Sequence, residues 1–128
     1  MNINKGKKKI LLWLPAILWL ISIFILALRK PPELIPPFPH YDKVMHFGAF
    51  GLLSVLFAFP YFFIKYKKIE HIMMVIIVPI IYGAIIEIVQ IFAANRKADI
   101  YDWIADLTGV IIAFIVISIV LRYANRKH

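Results

Sequence analysis

Hydrophobic residues fall into four long, nearly uninterrupted runs that are separated by short polar segments. The runs cover residues 10–28, 44–64, 72–92 and 104–121, so they are 19, 21, 21 and 18 residues long. A helix needs about 20 apolar residues to cross a bilayer, and a backbone in lipid must satisfy its own hydrogen bonds. The pattern therefore predicts an all-α polytopic membrane protein, a bundle of four transmembrane helices in which residues 1–128 form one membrane domain.

The composition supports this prediction and excludes other classes of protein. Of the 128 residues, 62% are hydrophobic, whereas globular domains contain about 45–50% apolar residues. The absence of cysteine excludes disulfides, thiolate metal sites and cysteine nucleophiles. The net charge of +8 does not indicate nucleic-acid binding, because the basic residues flank the apolar runs, where they set topology. We expect membrane lipids as partners and no nucleic acid.

The basic residues are distributed unevenly between the two sides of the predicted bundle. The two chain ends and the loop between the second and third runs hold ten lysines and arginines, and the other two loops hold five. The positive-inside rule then places both termini in the cytoplasm. Of the seven acidic residues, only Glu70 falls on the cytoplasmic side. The other carboxylates therefore gather at the outer face of a cell membrane that the chain crosses several times.

Polar residues at this outer end recur at helical spacing. Asp42 and His46 are four residues apart, Gly83 and Glu87 are also four apart, and Gln90 follows three residues later. Residues at such spacings lie on one face of a helix. If the last helix starts early enough, it presents a polar-to-small stripe of the same kind at Asp99, Asp102, Asp106, Gly109 and Ala113.

Glu87 is the most informative of these residues. It lies five residues before the end of its run, which is about 7–8 Å inside the bilayer boundary. A carboxylate in hydrocarbon costs on the order of 2.5–3.5 kcal/mol, so Glu87 should face the bundle interior, either protonated or paired with His46, Arg96 or Gln90. It is either a proton-transfer or ligand-binding group or a buried pin for helix packing. His46 is a general base, a metal ligand, or a packed side chain bonded to Glu87.

The remaining polar residues allow two interpretations each. Asp102 and Asp106 either shape a ligand site or form an acidic first turn that the helix dipole favours. Arg96 either pairs with Asp99 or contacts an anionic head group or phosphate. Carboxylates with a histidine can bind Mg²⁺, Ca²⁺ or Zn²⁺, but the spacing matches no defined metal motif, and we expect no metal and no cofactor. Close helix contact is the expected role of Gly48, Gly51, Gly83 and Gly109.

The chain resembles the VanZ-like membrane protein family in three motifs that occur in the same order: "DKVMHF", "EIVQIF" and "RKADIYDWIADLTG". The family pattern is matched at Asp42, Lys43, His46, Phe47, Glu87, Gln90, Phe92, Arg96, Asp99, Asp102 and Gly109. The chain departs from it at Asn95, where the family often has glycine. It also departs at Asp106, where the family often has asparagine, and this aspartate adds a charge to the site.

The family is named after a protein that gives low-level resistance to teicoplanin, a glycopeptide that binds cell-wall precursors. The resemblance therefore implies a bacterial plasma-membrane protein that acts near the outer surface and that lowers susceptibility to such antibiotics. Our leading hypothesis is an outward-facing polar site that acts on a cell-wall precursor or another lipid-linked envelope component. Glu87 and His46 are the candidate catalytic pair, and the candidate binding residues are Asp42, Lys43, Gln90, Arg96, Asp99, Asp102 and Asp106. One alternative is an intramembrane lipid hydrolase or transferase with a His/Glu general base. Another is a non-catalytic structural or partner-binding membrane protein.

Overall fold

A computed structural model describes residues 3–29, 35–93 and 97–126. Its helices are α1 (Ile3–Ala27), α2 (Tyr41–Ala58), α3 (Lys68–Ile72), α4 (Val78–Ala93) and α5 (Ile100–Arg126). A 3₁₀ turn, Phe59–Phe62, extends α2, and a π-helical turn, Met73–Ile77, joins α3 to α4.

Within the described residues these elements make four helical segments that are long and apolar enough to cross a membrane: Gly6–Ala27, Tyr41–Phe62, Lys68–Ala93 and Ile100–Arg126. The prediction of an all-helical bundle with four spans is therefore confirmed. All four segments begin before the predicted apolar runs do, because helical structure continues into the polar residues at the membrane boundary. The cytoplasmic placement of both ends stays a prediction from the positive-inside rule.

The backbones of α2 and α5 touch where they cross. A β-carbon built on Gly51 would lie 3.4 Å from the carbonyl oxygen of Gly109, and one built on Gly109 would overlap the carbonyl oxygen of Phe47. Small residues allow this approach, which maximises van der Waals contact where lipid gives no hydrophobic driving force. The expected role of these two glycines agrees with the structure. The expectation of close helix contact was wrong for Gly48, since a β-carbon there would meet nothing within 4 Å.

Two hydrogen bonds attach helix α1 to the bundle, one to α2 and one to α4. The indole Nε1 of Trp19 donates to the carbonyl of Ala49 on α2 at 2.9 Å. The hydroxyl of Tyr82 on α4 donates to the carbonyl of Leu20 at 2.7 Å. Such bonds give a mostly apolar helix a fixed rotation about its axis, because a lipid-facing apolar surface alone does not specify one.

The third span changes its helical hydrogen bonding at Pro79. Proline has no N–H to donate to a carbonyl in the preceding turn. The π-helical turn ends at Ile77, two residues before Pro79. The buried carbonyl of Val75, four residues before the proline, accepts a hydrogen bond from the Ser54 hydroxyl on α2. A side chain from a neighbouring helix thus satisfies a backbone acceptor near the proline, as is common in membrane bundles.

Candidate functional site

The last helix begins at an aspartate that caps it. Asp99 Oδ1 accepts a 2.8 Å hydrogen bond from the N–H of Tyr101, and the Asp99 carbonyl accepts from the N–H of Asp102 at 3.0 Å. A side-chain oxygen in this position satisfies one of the free donors of the first turn. The helix therefore starts early enough to present the predicted stripe, and its later members Asp102, Asp106, Gly109 and Ala113 are all buried.

Lys43 of α2 joins three carboxylates at this end of the bundle. Its Nζ lies 3.1 Å from Asp42 Oδ2, 3.1 Å from Asp99 Oδ2 and 3.2 Å from Asp102 Oδ1. The hydrogen bond from Tyr101 N–H, followed by the nearby Lys43 ammonium, holds the pKa of Asp99 below its usual range. We call Asp42, Asp99 and Asp102 the Lys43 set, because one ammonium group bridges all three.

A second set lies next to the first, one turn deeper. His46 Nδ1 is 2.9 Å from Asp106 Oδ1, and His46 Nε2 is 3.6 Å from Asp102 Oδ2. Glu87 of α4 brings its carboxylate to the same place, so that one donor atom each from His46, Glu87 and Asp106 lies within 4.8 Å of the other two. We call these three residues the His46 set. Together with the Lys43 set and Lys43 itself they form the polar cluster.

The His46 set is largely shielded from solvent. Asp106 is fully buried and Glu87 is 8% exposed. Glu87 Oε2 accepts a hydrogen bond from the backbone N–H of Asp99 at 3.3 Å. Within residues 3–29, 35–93 and 97–126, the other oxygens of these carboxylates, Glu87 Oε1 and Asp106 Oδ2, have no hydrogen-bond partner.

The sequence-predicted residues fall into three groups in the structure. The polar cluster contains Asp42, Lys43, His46, Glu87, Asp99, Asp102 and Asp106. Gln90 is buried beside Glu87 on the same face of α4. Arg96 lies outside the described residues. The expected pairing of His46 with Glu87 is corrected in one respect, because the hydrogen bond of His46 goes to Asp106, while the two side chains remain neighbours.

Trp103 and Gly83 form a wall of the site, and sequence reasoning missed the part that Trp103 plays in it. Trp103 lies near the end of a span, where aromatic residues are typical of the membrane interface. Its Nε1 donates to the carbonyl of Ile80 at 3.2 Å, which ties α5 to α4. A β-carbon at Gly83 would lie 3.0 Å from Asp106 Oδ2 and 3.3 Å from Trp103 Cδ1. The glycine therefore leaves the space that Asp106 occupies, which agrees with the close helix contact expected of Gly83.

The opposite end of the bundle contains a buried histidine that the sequence did not single out. His71 is 5% exposed and packs against the rings of Tyr61, Tyr66 and Phe114, whose centroids lie 5.0–5.6 Å from its own. It lines a cavity of about 1180 Å³, and Arg122 lines the same cavity. Asp106 and Arg122 are sixteen residues apart on α5, hence about 24 Å. His71 directly precedes the third apolar run, which is why it was read as part of a loop.

These features define a class: a multi-pass membrane protein of four helices, with an acidic, histidine-containing cluster at one end of the bundle. A family model described as VanZ/LLP1 matches residues 6–121 of the chain, nearly its whole length. The chain belongs to the VanZ/LLP1 family. No curated protein sequence and no solved structure shows significant similarity to it.

Proposed function

We propose that this protein lowers susceptibility to the glycopeptide teicoplanin by acting on a lipid-linked or surface component of the bacterial cell envelope. The polar cluster is the proposed site of action. The observation that carries the proposal is the meeting of His46, Glu87, Asp102 and Asp106 at one buried place, supplied by three different spans. Membership in the VanZ/LLP1 family supports the envelope-protective role.

The energetic argument for a functional site concerns the charges. A carboxylate at the centre of a transmembrane helix costs on the order of 2.5–3.5 kcal/mol on insertion scales, and a carboxylate buried nearer the helix end still loses its hydration. Three carboxylates, on Glu87, Asp102 and Asp106, are more than nine-tenths buried. Neutral amides have nearly the same shape and would pack the helices without that cost, although they donate hydrogen bonds where a carboxylate only accepts. Negative charge is therefore what the site needs, and a ligand that is cationic or that exchanges protons would use it.

A second candidate function is intramembrane catalysis, and the contact between His46 and Asp106 favours it. A carboxylate bonded to one ring nitrogen orients an imidazole, so that the other nitrogen can take a proton from a hydroxyl or water. The 2.9 Å separation of His46 Nδ1 and Asp106 Oδ1 fits such a pair. In this hypothesis the substrate is a lipid, and His46 is the general base of a hydrolase or transferase.

The test is the teicoplanin susceptibility of a bacterium that expresses the wild type, Glu87→Gln or His46→Ala, with membrane levels matched by immunoblot. Glu70→Gln is the control, because Glu70 is exposed at the other end of the third span. We expect the wild type and Glu70→Gln to protect, and the two cluster variants to reach the membrane without protecting.

Other results would contradict the proposal in separate ways. If the wild type gives no protection, the resistance role does not apply to this chain. If Glu87→Gln protects as well as the wild type, the cluster is structural, and changes at Gly83 or Gly109 should do more harm. Turnover of a lipid substrate that is lost in His46→Ala would favour the enzymatic alternative over a binding function.

A further inference from the structure

The two halves of the polar cluster differ in how their negative charge is balanced. In the Lys43 set, one ammonium lies 3.1–3.2 Å from carboxylate oxygens of three aspartates. In the His46 set, the described residues place one basic side chain, the imidazole of His46, beside both Glu87 and Asp106. Within the described ranges, no lysine or arginine side chain lies within 4.0 Å of either carboxylate. The deeper half of the cluster thus has the greater burial and the weaker charge compensation.

The unpartnered oxygens show where compensation is missing. Glu87 Oε1 and Asp106 Oδ2 are both inaccessible to solvent and have no hydrogen-bond partner among residues 3–29, 35–93 and 97–126. Buried polar atoms are nearly always satisfied, and each that is not costs about 1–3 kcal/mol, more when it is charged. Two such oxygens, on the two buried carboxylates of the His46 set, indicate that a positively charged group belongs beside these carboxylates.

We propose that the His46 set binds a divalent transition-metal ion, Zn²⁺ or Mn²⁺, through one donor atom each from His46, Glu87 and Asp106. An imidazole nitrogen with two carboxylate oxygens suits these ions, whereas Mg²⁺ and Ca²⁺ favour sets composed of oxygen alone. The proposal deepens the proposed function and rests on it for its physiological meaning. A metal at this site would polarise a phosphate of a lipid-linked substrate or activate a water.

The dimensions of the set are compatible with a metal after a small movement. The three donor atoms lie within 4.8 Å of one another, while donors bound to one tetrahedral ion at about 2.1 Å are about 3.4 Å apart. Closing this difference takes shifts of about an ångström, which rotation of the Glu87 and His46 side chains can supply. Each donor comes from a different helix, which explains why no metal motif is visible in the spacing along the chain.

The full-length protein, purified in detergent without a histidine tag, tests the site directly. After treatment with a chelator, Zn²⁺, Mn²⁺, Mg²⁺ or Ca²⁺ is titrated by calorimetry, and bound metal is counted by mass spectrometry after desalting. We expect stoichiometric binding of Zn²⁺ or Mn²⁺ and a rise of the thermal unfolding temperature with metal concentration. Glu87→Gln and Asp106→Asn should weaken binding by about 100-fold or more, while Glu70→Gln should bind like the wild type.

Three outcomes would overturn the proposal. Substoichiometric binding with no thermal shift would mean that the carboxylates are balanced by protons. Equal affinity in Glu87→Gln and Glu70→Gln would place the metal elsewhere. Binding that appears only in an Arg96→Gln variant would mean that arginine already fills the role of the ion. None of these measurements involves teicoplanin, so the metal site and the resistance function can fail independently.

Discussion

Replacing Gly109 by alanine should push α2 and α5 apart and, with them, the two residues of the His46–Asp106 contact. The added β-carbon would lie 3.1 Å from the Phe47 carbonyl carbon and 3.2 Å from the Gly51 nitrogen, and closer still to the Phe47 oxygen. Ordinary contacts between such atoms are about 3.5–4.0 Å. All the obstructing atoms belong to backbone, so no side-chain rotation relieves the overlap.

The size of the effect follows from that geometry. Separating the helices by about an ångström would stretch the 2.9 Å contact of His46 Nδ1 with Asp106 Oδ1 past the limit of a hydrogen bond. Overpacking of this kind typically costs about 1–3 kcal/mol. We therefore expect Gly109→Ala to lower the free energy of unfolding by that amount and to lose the protective activity proposed for the cluster.

The assay is unfolding by SDS in detergent micelles, followed by tryptophan fluorescence. Trp19 reports on the α1–α2 contact and Trp103 on the α4–α5 contact. The matched control is Gly48→Ala, the same change on α2 at a position with nothing within 4 Å. If Gly109→Ala unfolds at the same SDS fraction as Gly48→Ala, then the close crossing of α2 and α5 is not what holds the site together.

Two further predictions concern single bonds. Ser54→Ala should cost about 0.5–1.5 kcal/mol, because it removes the hydrogen bond to the buried Val75 carbonyl. The cost should be smaller in a Pro79→Ala background, because alanine has the N–H that proline lacks and can donate it to the Val75 carbonyl. A double-mutant cycle that shows no coupling would refute this account. Asp99 has a lowered pKa, so its contribution to stability is present above its unfolded pKa of about 3.9 and is lost as the pH falls through the lower folded value. On acidification, Asp99→Asn should therefore lose less stability than the wild type. Equal losses of stability, measured by SDS titrations at neutral and acidic pH, would contradict this prediction.

The features that depend on local periodicity could be predicted from the sequence. The four spans follow from the lengths of the apolar runs. The buried stripe that contains Asp102, Asp106 and Gly109 follows from their spacing and from an early helix start. Both depend only on residues close together along the chain, so no knowledge of neighbouring helices is needed to predict them.

The partners inside the polar cluster could not be predicted in the same way. His46 bonds to Asp106 rather than to Glu87, and Lys43, expected only to bind a ligand, bridges three aspartates. These contacts depend on which helices are adjacent and on their rotation, and both are fixed by the backbone crossing at Gly51 and Gly109. Small residues indicate that some close crossing exists, but they do not say which pair of helices makes it.

The π-helical turn in the third span has a consequence for the way one helix serves both ends of the bundle. In a regular α-helix, successive residues are about 100° apart, so His71 and Glu87, sixteen positions apart, would face nearly opposite directions, about 160° from each other. Both are buried. The wider turn at Met73–Ile77 takes up one extra residue and removes about 100° of that divergence. Deleting a single residue there should restore a regular α-helix with fifteen positions between the two side chains, about 60° apart, so both would stay buried. Converting the turn to a regular α-helix without a deletion would instead turn either the histidine or the glutamate toward lipid.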